Sequence, residues 1–105
     1  MAQFDVFRNP GRQREAIPFV VVLQNARFDR GGTRFVAPLV LRETARIAEH
    51  YIAPRFIVAG LEVVMDVFNL ATLPVGKLGL PVASLADEES RAKLIRALDE
   101  FISQA

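Results

Sequence analysis

Histidine, serine and the acids come first, because general acid–base and nucleophilic chemistry are built from them. His50 is the chain's one histidine, so no metal site can rest on a histidine pair. A Ser-His-acid arrangement would have to bring His50 beside Ser84, Ser90 or Ser103, and none of these stands in a nucleophile-elbow pattern. Cysteine is absent, which removes disulfides, thiolate chemistry and Cys-ligated zinc. Gly31-Gly32 lacks both the Walker spacing and the GxGxxG fingerprint, so it reads as a turn and not as a phosphate loop. Glu43, Glu49 and Glu62 could pair as acids only through the fold, and otherwise read as solvated carboxylates. Arg8, Arg12, Arg14, Arg27, Arg30 and Arg34 give the first third a basic bias, but 13 Lys+Arg against 12 Asp+Glu leave a net charge of +1. That is not the basic stripe of a nucleic-acid binder. The residues therefore point to a binding protein that is not an enzyme, with no cofactor, no metal and no direct sequence-specific contact to nucleic acid.

The elements that must position any binding surface follow from periodicity and punctuation. Gln3–Arg8 alternates imperfectly, with Phe4 and Val6 on one parity and Phe7 on the other, and reads as a short strand ending at the turn Asn9-Pro10-Gly11. Ile17–Leu23 is dense in β-branched residues and predicts a strand buried on both faces, with Pro18 near its start. Arg30-Gly31-Gly32-Thr33 predicts a hairpin turn using positive φ. Arg34–Leu41 follows as a strand, in which Pro38 argues for an edge or a bulge. Arg42–Ile52 has the local pattern of a helix that Pro54 would stop. Phe56–Val58 and Leu61–Phe68 read as strands joined at Gly60, and Leu73-Pro74-Val75 and Leu80-Pro81-Val82 as short extended pieces.

From Asp87 the period changes to that of a helix, with Leu94, Ile95, Leu98, Phe101 and Ile102 on its apolar side. Asp87, Glu88 and Glu89 suit its first turn, and Ser84 or Asp87 could cap it. Asp87–Arg91, Glu89–Lys93 and Arg96–Glu100 are opposite charges four apart. Strands followed by a terminal helix predict a mainly β fold, a small antiparallel barrel or sheet closed by that helix.

The 105 residues are the size of one domain, residues 1–105. Hydrophobic residues make up 51% and mean hydropathy is +0.25, rich for a domain that buries only part of its apolar surface alone. The excess predicts a further buried face, most simply a homodimer interface, to which the stripe Leu94/Leu98/Phe101 could contribute if it is not core. No apolar run approaches the ~20 residues of a membrane span, and the start lacks a secretory layout, so a cytoplasmic protein is expected.

The order of segments resembles the CcdB family of plasmid-maintenance toxins. The resemblance rests on Gln3–Phe7 (QFDVF), Phe19–Gln24 (FVVVLQ), Asp29–Leu39 (DRGGTRFVAPL), Leu70–Gly79 and Val82–Leu85 ahead of the terminal helix. It implies an SH3-like barrel with an extra strand pair and a C-terminal helix, forming a two-fold homodimer, and a non-helical Arg42–Tyr51. It also implies a toxin that binds the A subunit of DNA gyrase, traps the gyrase–DNA cleavage complex and is neutralised by a CcdA-like antitoxin. The family's gyrase contact is a terminal Trp-Gly-Ile. Its positions match Ser103-Gln104-Ala105 counted from the end, or Ile102-Ser103-Gln104 counted from Phe101. This chain has no tryptophan, so the resemblance assigns gyrase binding to Phe101, Ile102, Ser103, Gln104 and Ala105, with Phe101 as the available ring. The same resemblance assigns antitoxin binding to Gln3, Phe4 and Phe7. Two other readings stay open: a CcdB-fold protein with an altered target or lost toxicity, and a MazF-type ribonuclease using Arg27, Arg30, Arg34 and Glu43.

Overall fold

A computed structural model describes residues 2–28, 31–46, 50 and 52–103. Its strands are β1 (Asp5–Arg8), β2 (Phe19–Val22), β3 (Thr33–Leu41), β4 (Arg55–Val58), β5 (Leu61–Met65), β6 (Ala71–Pro74) and β7 (Ala83–Ser84), and they precede one helix, α1 (Glu88–Ser103). All pairings are antiparallel, in the order β4-β5-β3-β2-β1-β7, with β6 also on β3. The sheet curls into a nearly closed barrel with the helix at its C-terminal end, consistent with an SH3-like barrel plus helix.

The curl has a visible cause in β3. Its first half, Thr33–Val36, pairs with β6, and its last residues, Leu39–Leu41, pair with β5. Pro38 stands at the switch between those two partners. The Leu23 N–H donates to the Phe35 carbonyl, which makes Val20–Pro38 a non-hydrogen-bonded pair toward β2. The donor that proline lacks would therefore point away from β2 toward Asp66, which lies just past the end of β5 and whose N–H donates to the Pro38 carbonyl. Pro38 marks neither an edge nor a bulge; it sits within a central strand at the end of its pairing with β5, where only the one reciprocal bond to Asp66 is missing.

β2 is buried on both faces as its composition predicts. Phe19 and Val21 join Phe4, Val6, Leu39, Val63 and Met65 in the barrel core, which α1 closes with Leu94 and Ala97. Val20 and Val22 face the other way and pack with Phe7, Val36 and Leu78. The mixed parity of the first strand has the same origin: Phe4 and Val6 serve the first cluster and Phe7 the second.

Three boundaries differ from the sequence expectations. Gly31-Gly32 is not a tight hairpin turn. The β2–β3 connection includes a 3₁₀ turn at Ala26–Phe28, and the one glycine with positive φ among the described residues is Gly60. The strand predicted to run to Phe68 ends at Met65, because Asp66 caps a 3₁₀ turn over Val67–Asn69. Within Arg42–Ile52 the described residues include turns at 42–44, a 3₁₀ position at Arg46 and no α-helix; residues 47–49 and 51, at the centre of the segment with the helical pattern, lie outside the described residues.

The β4–β5 hairpin turns on Ala59-Gly60, with φ of 50° and 81°. Positive φ at both central residues is the hairpin geometry that matches strand twist, and it favours Asn-Gly. An L residue pays roughly 1–2 kcal/mol in the left-handed region, less for asparagine. Ala59→Asn is thus expected to stabilise the fold by about 0.5–1 kcal/mol, read from the urea midpoint.

α1 begins on Asp87, whose Oδ2 accepts the Ser90 N–H at 3.0 Å, whereas Ser84 Oγ accepts from Ala86 N–H. The three predicted i,i+4 ion pairs do not form. Arg91 donates to Gln3 Oε1 at 3.2 Å and Lys93 to the Arg55 carbonyl, and the ion pair found among the described residues is Arg42–Glu62 at 3.1 Å. Hydrogen bonds from Ser90, backbone first and side chain second, hold the Asp87 carboxyl below its ordinary 3.8. The unfolded chain lacks those bonds, so this stabilisation is complete above the unfolded pKa and is lost as pH falls through the lower folded one. Melting measured from about pH 5 down to about pH 2 should fall less steeply for Asp87→Asn than for the parent.

Candidate partner-binding surface

Several of the side chains singled out for chemistry are engaged in structural bonds. His50 Nδ1 accepts the Ile52 N–H at 3.2 Å, and its ring meets Phe68 edge-on. Ser103 Oγ donates to Asp99, with the Asp99 carbonyl at 2.5 Å and Oδ1 at 2.8 Å. Glu62 is paired with Arg42. Arg34 is buried, and its Nη1 donates to the carbonyls of Gly31 and Thr33, so this arginine braces the start of β3. Arg27 lies over the ring of Phe28, 5.9 Å from its centroid. Arg30 and Glu49 fall outside the described residues. Among the described residues no three His, Cys, Asp or Glu gather into a metal-binding group, and no helix is long and apolar enough to cross a membrane.

A cleft of about 420 Å³ lies beside β4 and the first turns of α1. Phe56 and Leu85 supply apolar wall, while Arg42, Arg55 and Lys93 face Glu62 and Glu89. The Lys93 ammonium sits 4.6 Å from the Phe56 ring centroid. Mixed charge around an apolar wall suits binding.

The end of α1 is a different kind of surface. Leu94 and Ala97 point into the core and Leu98 is half-buried against it. The apolar stripe then runs out of barrel to cover: Phe101 is 40% exposed and Ile102 73%. Phe101 meets Phe68 edge-to-face, with ring centroids 5.3 Å apart, and Phe68 is itself 48% exposed. Ser103 bonds back to Asp99 and closes the last described turn; Gln104 and Ala105 lie outside the described residues. Of the five positions assigned to gyrase, the described three form one patch, and the structure adds Phe68 to it. Sequence reading missed Phe68 by absorbing it into a strand. The available signal was Asp66 two residues earlier, an Asx cap that ends an extended run.

The N-terminal candidates are placed otherwise. Phe4 and Phe7 are each 1% exposed, one in each apolar cluster. Phe4 has φ of 68° and is held by bonds from its N–H to Val22 and from Leu85 to its carbonyl, with Arg91 over its ring. Gln3 reaches the surface. Its Nε2 donates to the Leu23 carbonyl at 3.0 Å and its Oε1 accepts from Arg91, joining the N-terminus to α1.

A barrel with a C-terminal helix is what the resemblance led one to expect, and comparison with family models decides it: the model for the CcdB protein matches residues 3–103. The chain belongs to the CcdB family. Membership gives it the general role of a toxin within a toxin–antitoxin pair, in a family whose toxins are not catalytic enzymes. No curated protein matches the chain.

Proposed function

We propose that this CcdB family member poisons DNA gyrase. It binds the A subunit, holds the enzyme on cleaved DNA and is stripped away by a CcdA-like antitoxin. The observation that carries this reading is the family match across residues 3–103. The exposed helix end supports it, because Phe101 and Ile102 present apolar surface where the family makes its gyrase contact. The protein acts as a cytoplasmic homodimer, so that one two-fold axis lies on that of a symmetric target. It works by binding alone, without a catalytic residue or cofactor. The antitoxin approaches the N-terminal side through Gln3, with the buried rings of Phe4 and Phe7 fixing the backbone beneath it. A role in plasmid maintenance would follow if the gene pair is carried on a plasmid.

Expression without antitoxin in a gyrase-sensitive host should arrest growth, and purified gyrase should accumulate cleaved DNA in the protein's presence. A pure dimer that does neither would remove the proposal. The missing tryptophan favours one second reading, a CcdB-fold toxin directed at another target. Co-purification from the native cell separates the two by whether gyrase comes with it.

A further inference from the structure

Phe68 has no part in either apolar cluster and leaves 48% of its surface in water, yet the chain takes trouble to place it. Both carboxylate oxygens of Asp66 are used in shaping the turn that carries it. Oδ1 accepts the Phe68 N–H at 2.9 Å and Oδ2 accepts from Asn69 Nδ2 at 2.6 Å. Val67, fully buried, pins the turn to the core. Phe68 is thereby held outside the barrel with its ring in contact with two others. Phe101 meets it edge-to-face at 5.3 Å and 82°, and His50 at 5.3 Å and 75°. These are favourable aromatic geometries. On the helix itself, Ser103 ties back to Asp99 and shapes the turn that Phe101 belongs to. The last turn of α1 lies beyond Leu94 and Ala97 and has little core left to hold it. An outside brace is what would fix the direction in which Phe101 and Ile102 are presented.

We propose that Phe68 is a positioning residue for partner binding: through the Phe101 ring it sets the orientation of the helix end that meets gyrase. This rests on the gyrase reading above. Phe68 acts through Phe101, and its effect appears in binding more than in global stability because it is half-exposed. Losing one edge-to-face pair that preorganises a contact corresponds to a change of about 5–10-fold in affinity.

The test titrates the purified A subunit of gyrase with the parent, Phe68→Ala, Phe68→Leu and Phe68→Tyr, and follows amide exchange at residues 99–103 in each free protein. Phe68→Ala should bind about 5–10-fold more weakly and exchange faster in the last turn, with global melting little changed. Phe68→Tyr, which keeps the ring, should bind within about twofold of the parent, while Phe68→Leu should not recover the loss. Phe68→Ala binding as tightly as the parent overturns the inference, and so does Phe68→Leu matching Phe68→Tyr, which would reduce the effect to apolar area. If the parent itself does not bind the A subunit, the gyrase reading fails. Amide exchange then decides the positioning separately, with unchanged exchange in Phe68→Ala ruling it out.

Discussion

Leu94→Ala is expected to destabilise the protein by about 3 kcal/mol, within the roughly 2–5 kcal/mol found for deleting buried leucine side chains. Leu94 is fully buried and is the largest α1 side chain in the barrel core, where it joins Phe4, Ile52, Phe56 and Val67. Its removal costs transfer free energy and leaves a cavity, since β-strands bonded on both sides cannot easily collapse into the space. A domain of this size has about 5–15 kcal/mol in total, so the variant should melt some 10–20 °C lower. Urea unfolding supplies the measurement, with Ile95→Ala as the control. Ile95 is one residue away and 44% exposed, so its loss should fall within about 0.5 kcal/mol. If the two variants behave alike, the helix does not close the barrel through Leu94, and the placement of its C-terminal turn fails with it.

That contrast between neighbours also shows what could be read from the chain. Helical spacing put Leu94, Ile95, Leu98, Phe101 and Ile102 on an apolar side, and the helix is there. Periodicity alone does not say how far the barrel extends along it. Leu94 and Ala97 meet core, while Ile95 and Ile102 meet water. In the same way β2 was legible because four apolar residues in a row have no polar face to offer, whichever neighbours arrive. Pro38 was legible as a ladder break but not as an edge, because a proline removes one donor and the register alone decides which side that donor would have faced. The i,i+4 pairs were plausible in an isolated helix. In the folded protein Arg91 and Lys93 find hydrogen-bond acceptors on the N-terminus and β4 instead. Phe4 and Phe7 are both buried, one in each apolar cluster, and a sequence match to a binding position does not distinguish a ring that touches a partner from one that supports the backbone beneath it. Phe68 was hidden for the opposite reason: its neighbour in space, Phe101, lies far along the chain, and only the fold brings the two rings together.

Phe101→Ala should weaken binding to the A subunit of gyrase by about 30-fold or more and abolish growth arrest, with a smaller change in stability. The chain has no tryptophan, so if gyrase is the target an aromatic anchor must come from another ring. Phe101 is the one on α1, and it is 40% exposed at the end of the helix. Truncating a buried hot-spot aromatic typically costs about 2 kcal/mol or more of binding, which is where the 30-fold comes from. Removing everything after Phe101 asks the complementary question, because it keeps the ring and deletes Ile102 and Ser103 with the two residues that follow. If the ring is the anchor, the truncated protein retains more affinity than Phe101→Ala; if the apolar tip is the anchor, the order reverses. Each variant is titrated against the same A subunit and checked for melting, so that loss of fold is not mistaken for loss of contact. Equal, parent-like binding by both would mean that neither end of the patch touches gyrase. The exposed surface at the close of α1 would then have to serve something else, and the family's usual target would no longer explain why two half-exposed rings are held together there.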